Sequence, residues 1–248
     1  MSRIERYLHT YERLRENANW WNSRFVSAVR AALLVIGDAE ERIGELPEVM
    51  RILEKDSNWF DPMVVDVIAA LVITRGVDPS TVSIRAQKIR SEYKRHGLTN
   101  VHELGGVPSS AWLALFDDPA VERALPRIAR IMRLWKADHP WITGNDDLHI
   151  ATLHALGPES PESIRRRTED YFQALQRAGD TWSDQDTQRT SQLVAFWPGV
   201  AAAQVEENYR QLRKAVEEHM GWKSPRARGA VGLLAAATLE PRRTIDEL

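Results

Sequence analysis

The side chains best suited to chemistry gather in one stretch: His139, Asp146, Asp147, His149 and His154. Imidazoles and carboxylates are the groups left to ligate metals or move protons in a chain without cysteine, and this one has none. The same absence excludes disulfides, thiolate catalysis and cysteine-based zinc sites. The spacing suits a metal poorly. His149 and His154 are five positions apart, about 140° around a helix, whereas metal-binding helices place ligands three or four apart. No metal and no other cofactor is expected. His139, Asp146, Asp147 and His149 stand as the ligand-binding candidates, and each also has a plainer role. Asp146 has capping-box spacing from Thr143. Asp147 suits the positive end of a helix, and His139, just before Pro140, the negative end of the preceding one. Capping and surface chemistry is the preferred reading.

Other groups are weighed in the same way. The nine tryptophans could stack on bases or sugars, but their recurrence beside predicted hairpin turns favours packing between hairpins. Basic residues cluster at Arg85, Lys88, Arg90, Lys94 and Arg95, at Arg165, Arg166 and Arg167, and at Lys223, Arg226 and Arg228. In one groove they could hold phosphates. With a formal net charge of −2, solvated helix faces are the expectation and nucleic-acid binding is disfavoured. Gly105-Gly106 and Pro108 give the stretch 101–111 a loose likeness to a helix-hairpin-helix turn, but such a turn needs glycines flanking one apolar residue and free backbone amides. No nucleophile elbow, phosphate-binding loop, dinucleotide fingerprint or zinc-protease helix is present.

The elements that must position these residues are helices in a repeat. Leu33, Leu71, Leu113, Leu153, Leu193 and Leu233 are separated by 38, 42, 40, 40 and 40 residues. Two positions before them stand Ala31, Ala69, Ala111, Ala151, Ser191 and Val231. Small residues let helices approach closely while a leucine fills the space beside them. Trp20 or Trp21, Trp59, Trp141, Trp182 and Trp222 follow the same rhythm with one gap. The first half of each unit is amphipathic at helical spacing, as in Tyr7, Tyr11 and Leu14, or Tyr209, Leu212 and Val216. Asp61-Pro62 and Ser224-Pro225 place a cap before a first-turn proline. Thr143 with Asp146, and Ser183 with Asp186, have capping-box spacing. A more apolar second helix is expected to follow. Period-two alternation bounded by hairpin turns is absent.

The fold class is therefore all-α: six helical hairpins of about 40 residues, an α-solenoid-like superhelix or an array closing toward an α/α toroid. The units fall at about 1–38, 39–78, 79–118, 119–158, 159–199 and 200–248, within a single repeat domain. The third unit is the least regular.

Three segments resemble the bacterial domain-of-unknown-function family 4003. The run from His139 through Pro140-Trp141-Ile142-Thr143-Gly144-Asn145 to Asp146-Asp147 is similar to its "H-P-hydrophobic-L-T-S-x-D-D" segment. Tyr171, Ala174 and Leu175 with Thr187-Gln188-Arg189-Thr190-Ser191-Gln192-Leu193 are similar to its "Y-x-x-L … L-Q-x-L-S-x-I-L", with Thr187 and Thr190 in place of leucines. Ala230-Val231-Gly232-Leu233-Leu234-Ala235 is similar to its closing "I-G-L-L-A". The resemblance implies a fold and carries no catalytic residues, because that family has no established activity.

A chain that is 43% hydrophobic and 27% charged can bury a substantial core. Its apolar runs, Phe25 to Ile36 and Met63 to Thr74, fall short of the ~20 residues that span a bilayer. With no signal-peptide pattern at the start, a cytoplasmic location is expected. The leading functional expectation is a non-enzymatic scaffold for a protein or peptide. The alternatives are an enzyme or small-ligand site in a central groove and, more weakly, nucleic-acid binding.

Overall fold

The structure, a computed structural model, describes residues 1–16, 24–57, 62–98, 103–179, 183–220, 231–232 and 235–237. Their regular secondary structure is all helical, with no strand among them. The α-helices are α1 (Arg3–Glu16), α2 (Arg24–Ile36), α3 (Leu46–Ser57), α4 (Pro62–Arg75), α5 (Pro79–Tyr93), α6 (Glu103–Ala114), α7 (Asp118–Asp138), α8 (Leu148–Leu156), α9 (Pro161–Arg177), α10 (Asp184–Val194) and α11 (Ala202–Met220). Short 3-10 segments occupy Glu40–Glu45, Lys94–His96 and Asn145–Asp147. The chain divides into two compact units, Met1–Leu125 and Pro126–Leu248.

Within the first unit, α1 pairs with α2, α3 with α4, and α5 with α6. Across hairpins α2 packs on α4, α4 on α6, and α3 on α5. Odd and even helices thus form two layers, as stacked hairpins require. The second unit repeats the plan. Trp135 of α7 meets His154 of α8 edge-on, with ring centroids 6.0 Å apart. Arg130 of α7 pairs with Glu162 of α9 at 2.9 Å. His154 Nε2 reaches the Gln192 carbonyl of α10 at 2.9 Å. Helices α9, α10 and α11 close around Tyr171, Leu175, Val194, Val205, Tyr209 and Leu212, with Val231 and Ala235 packed into the same core.

The small-residue series lies buried on the even helices of each unit. Ala31, Ala69, Ala111, Ala151 and Ser191 are all at 0% exposure and Val231 at 3%. Of the accompanying leucines, Leu71 and Leu113 are buried, Leu33, Leu153 and Leu193 are half-buried, and Leu233 lies outside the described residues.

Helix starts follow local chemistry. The Asp78 carboxylate accepts from the Thr81 N–H at 2.7 Å, with Pro79 in the first turn. Ser160 before Pro161 accepts from Ser163 N–H at 3.2 Å. Ser183 Oγ accepts from Asp186 N–H at 3.0 Å, as its spacing predicts. The caps expected at Asp61 and Ser224 lie outside the described residues.

The expected Thr143–Asp146 box is displaced by one residue. Gly144 N–H donates to the Asp147 carboxylate at 2.9 Å, and Asp147 N–H donates to the Gly144 carbonyl at 3.2 Å. The 3-10 turn at Asn145–Asp147 delays the start of α8, so the reciprocal pair moves from 143/146 to 144/147.

Helix ends show a device not anticipated from the sequence. An arginine just before or within an odd helix reaches the last carbonyls of its even partner. Arg42 Nη1 donates to the Ile73 carbonyl at 2.6 Å. Arg85 donates to Ala114 and Phe116 carbonyls at 3.2 and 2.5 Å. Arg127 donates to Ala155 and Gly157 carbonyls at 2.9 and 2.8 Å, and Arg167 to the Ala195 carbonyl at 2.7 Å. Carbonyls at a helix C-terminus lack intrahelical donors and carry partial negative charge, so a guanidinium satisfies both needs. The series recurs every 40 to 43 residues, from 42 through 85 and 127 to 167.

Two of these expectations need correction. Trp141 is 95% exposed, so it packs against no neighbouring hairpin. It projects from the turn after α7, beyond the helix faces, while Trp135, at 1% exposure, fills the core of its hairpin. Trp20, Trp21, Trp59, Trp182 and Trp222 lie outside the described residues. Arg85 and Arg167, read as solvated basic positions, are the half-buried helix-end donors just described. Gly105-Gly106 and Pro108, discounted as a helix-hairpin-helix turn, sit inside α6, where small side chains admit close packing against α5. Tyr93 and Ser109 share a hydrogen bond of 2.6 Å across that contact.

Candidate functional site

The second unit holds a buried polar seam where the start of α8 meets α10. The sequence of α10, Asp-Gln-Asp-Thr-Gln-Arg-Thr-Ser-Gln-Leu-Val, is polar where the repeat plan expects an apolar second helix. Even so, Thr187, Gln188, Thr190, Ser191 and Gln192 are buried. Buried polar groups must find partners, and the turn before α8 supplies several of them.

Asp147 is 2% exposed. Burial pushes its carboxyl up to about 6, aided by the charge of Asp146 and opposed by the Gly144 hydrogen bond, Arg189 and the Gln192 amide. Asp146 is ion-paired with Arg189 of α10 and accepts from Gln185 Nε2 at 3.2 Å. Burial, reinforced by the Arg189 charge, lowers the pKa of His149. Its Nδ1 is buried without a hydrogen-bond partner. Gln188 Nε2 donates to Thr143 Oγ at 2.6 Å, while Gln188 Oε1 has no hydrogen-bond partner.

The four sequence candidates do not converge. Asp146, Asp147 and His149 face α10. His139 turns to α9, where Nε2 lies 2.8 Å from Glu169 Oε2 and the ring rests 4.4 Å from that of Phe172. His154 stacks on Phe196 at 3.8 Å and 3°. Burial lowers its pKa to about 4, so at neutral pH it is a neutral imidazole donating Nε2–H to the Gln192 carbonyl. Among the described residues no three His, Asp or Glu side chains come together as a metal site. An isolated buried acid with its pKa raised toward neutrality is the kind of group that transfers protons, yet Asp147 spends its carboxylate on the turn before α8. The partners missed from the sequence, Gln188, Arg189 and Gln192, carry one signal: a polar helix in an apolar slot of the repeat.

Open space lies beside the odd helices of each unit. In the first unit, a cleft of about 580 Å³ is bounded by α1, α2 and α3, with Arg13, Arg30, Met50 and Arg51 in its wall. A second, of about 470 Å³, lies between α5 and the start of α7. Ile89, Val121 and Leu125 give it an apolar surface, and Lys88, Glu92, His96 and Glu122 line it with charge and imidazole. In the second unit, a cleft of about 420 Å³ separates α9 from the approach to α11, lined by Glu159, Arg167 and Asp170 opposite Val200 and Ala202.

Several arginines of the basic stretches are already ion-paired. Arg85 pairs with Asp118 at 2.7 Å, Arg95 with Glu92 at 2.8 Å and Arg165 with Asp138 at 2.5 Å, while Arg167 pairs with Glu159. Lys223, Arg226 and Arg228 lie outside the described residues. No described helix is long and apolar enough to cross a membrane. No protein-family model matches the chain, and neither a curated protein nor a solved structure matches it.

Proposed function

We propose that the chain is an interaction scaffold that holds a peptide segment of a partner protein in the α5–α7 cleft of its first unit. The observation that carries this reading is the make-up of that cleft. It combines apolar lining from Ile89, Val121 and Leu125 with Lys88, His96, Glu92 and Glu122 around it. Apolar pockets anchor a peptide by burial, and flanking charges fix its register. A cytoplasmic location belongs to the same proposal.

An enzyme built on His139, Asp146, Asp147 and His149 is the weaker reading, because their side chains serve two separate helix contacts. Nucleic-acid binding is weaker still, since several of the arginines it would use are already paired. Selection of a random peptide library on the full-length chain tests the scaffold reading. Enriched peptides should carry an apolar anchor flanked by charge and bind in the micromolar range. Failure to enrich any sequence above background would contradict it.

A further inference from the structure

The first hairpin turns apolar side chains to water. Among the described residues eight large apolar side chains are exposed, and four of them belong to this hairpin: Met1 just before α1, Ile4 and Leu8 on α1, and Ile36 on α2. Ile4, Leu8 and Ile36 are 71%, 51% and 69% exposed. Single exposed apolar residues need no explanation, but a group on one hairpin does.

Their direction follows from what the rest of the hairpin touches. Arg6 reaches from α1 to Asp38 and Glu40, which lead into α3, and Arg13 lines the cleft against α3. Ile4 and Leu8 stand about 140–180° around α1 from both arginines, so they face away from α3. The Arg6 ion pairs also set the start of α1 beside the end of α2, which brings Ile36 to the same end of the hairpin as Ile4. Arg30 of α2 reaches Asp66 of α4, and Ile36 is turned about 120° from it.

In a hairpin array, the face opposite the following hairpin is where a preceding one stacks. Within this unit α2 packs on α4 and α3 on α5 in that way. An end repeat that meets water normally carries a polar outer face. Helix α3 shows what such a surface looks like, since it exposes Glu48, Arg51, Glu54 and Lys55. The outer face of α1 and the end of α2 instead keep the character of a stacking surface.

We propose that this face pairs two copies of the chain, the first hairpin of one stacking on the first hairpin of the other about a two-fold axis. The partner that fits a hairpin-stacking face is another hairpin of the same plan, and a two-fold contact covers both faces at once. The charges beside the patch permit it. Exposed Arg3 and Arg15 are balanced by exposed Glu5 and Glu12, so two copies meet without net repulsion.

Sedimentation velocity of the full-length chain at tens of micromolar tests the proposal. The chain should sediment as a dimer and dissociate on dilution. Leu8→Glu and Ile36→Glu each bring a carboxylate into an apolar contact and should weaken the dimer by roughly tenfold or more. Ile84→Glu alters an isoleucine of α5 that is 65% exposed and should leave the dimer intact. All three side chains are exposed, so circular dichroism should show the fold retained in each variant. A chain that stays monomeric leaves the face to a different partner and overturns the proposal. So does a dimer that survives both Leu8→Glu and Ile36→Glu, or one that Ile84→Glu weakens equally.

Discussion

At the scale of single residues, the contrast between Asp146 and Asp147 shows how far local chemistry can be read from spacing. Both were legible as cap-related acids at a helix start. Their division of labour was not, because it depends on Arg189, 43 positions further along. Asp146 stays half-exposed and holds Arg189, whereas Asp147 is buried and closes the turn. The buried acid has a measurable consequence. Its pKa is raised from 3.8 to about 6, so the folded state holds the proton more tightly than the unfolded chain. The stability it contributes is present when the group is protonated, near pH 4, and is lost as pH rises through about 6. His154, lowered from 6.5 to about 4, slopes the other way: its contribution is present above 6.5 and lost as pH falls toward 4. The two compensate in the wild-type protein. Asp147→Asn keeps an acceptor for Gly144 and removes the buried charge. It should raise stability by on the order of 1–2 kcal/mol at pH 7.5 and leave it unchanged at pH 4. Urea denaturation at both values checks this, and an equal offset at both would contradict the account.

At the scale of elements, the small-residue series was readable because helix packing depends on residue size at one fixed position per repeat. Its members are buried on every described even helix. The helix-end arginines have nearly as regular a period and escaped notice, since their partners are backbone carbonyls that leave no mark in the sequence. Two of them, Arg85 and Arg167, sit within basic runs that looked solvated. Their role predicts an asymmetry between neighbours on α7. Arg127→Gln removes charge-assisted bonds to three carbonyls, at Ala155, Gly157 and Glu159, and should cost about 1.5–3 kcal/mol. Arg130→Gln breaks only a partly exposed pair with Glu162 and should cost less than about 1 kcal/mol. Chemical denaturation of the two variants side by side measures the difference. The seam between α8 and α10 was the least legible contact. There a helix of polar composition occupies a buried slot, and hydrogen bonding rather than apolar area sets its partner.

At the scale of the whole molecule, hairpin repeats divide polar and apolar work between two kinds of place. Buried polar groups collect where even helices meet, as in the α8–α10 seam, and serve to fix which helices pair. The clefts open beside the odd helices of each unit, where neighbouring helices leave room between them. Composition and periodicity revealed the hairpins themselves, but not the clefts. Their shape depends on how far successive odd helices stand apart, which no single-residue pattern encodes. On this account, ligand recognition belongs to the clefts and the His139–His149 group is architectural. The two roles separate most directly in one set of affinities: that of a selected peptide for the wild-type chain, for Lys88→Glu with Glu122→Lys, and for Asp146→Asn with His149→Gln. The account predicts at least a tenfold loss in the first double variant and a change of less than about twofold in the second, since a tenfold change corresponds to about 1.4 kcal/mol. The reverse pattern, with affinity lost only at Asp146 and His149, would contradict it.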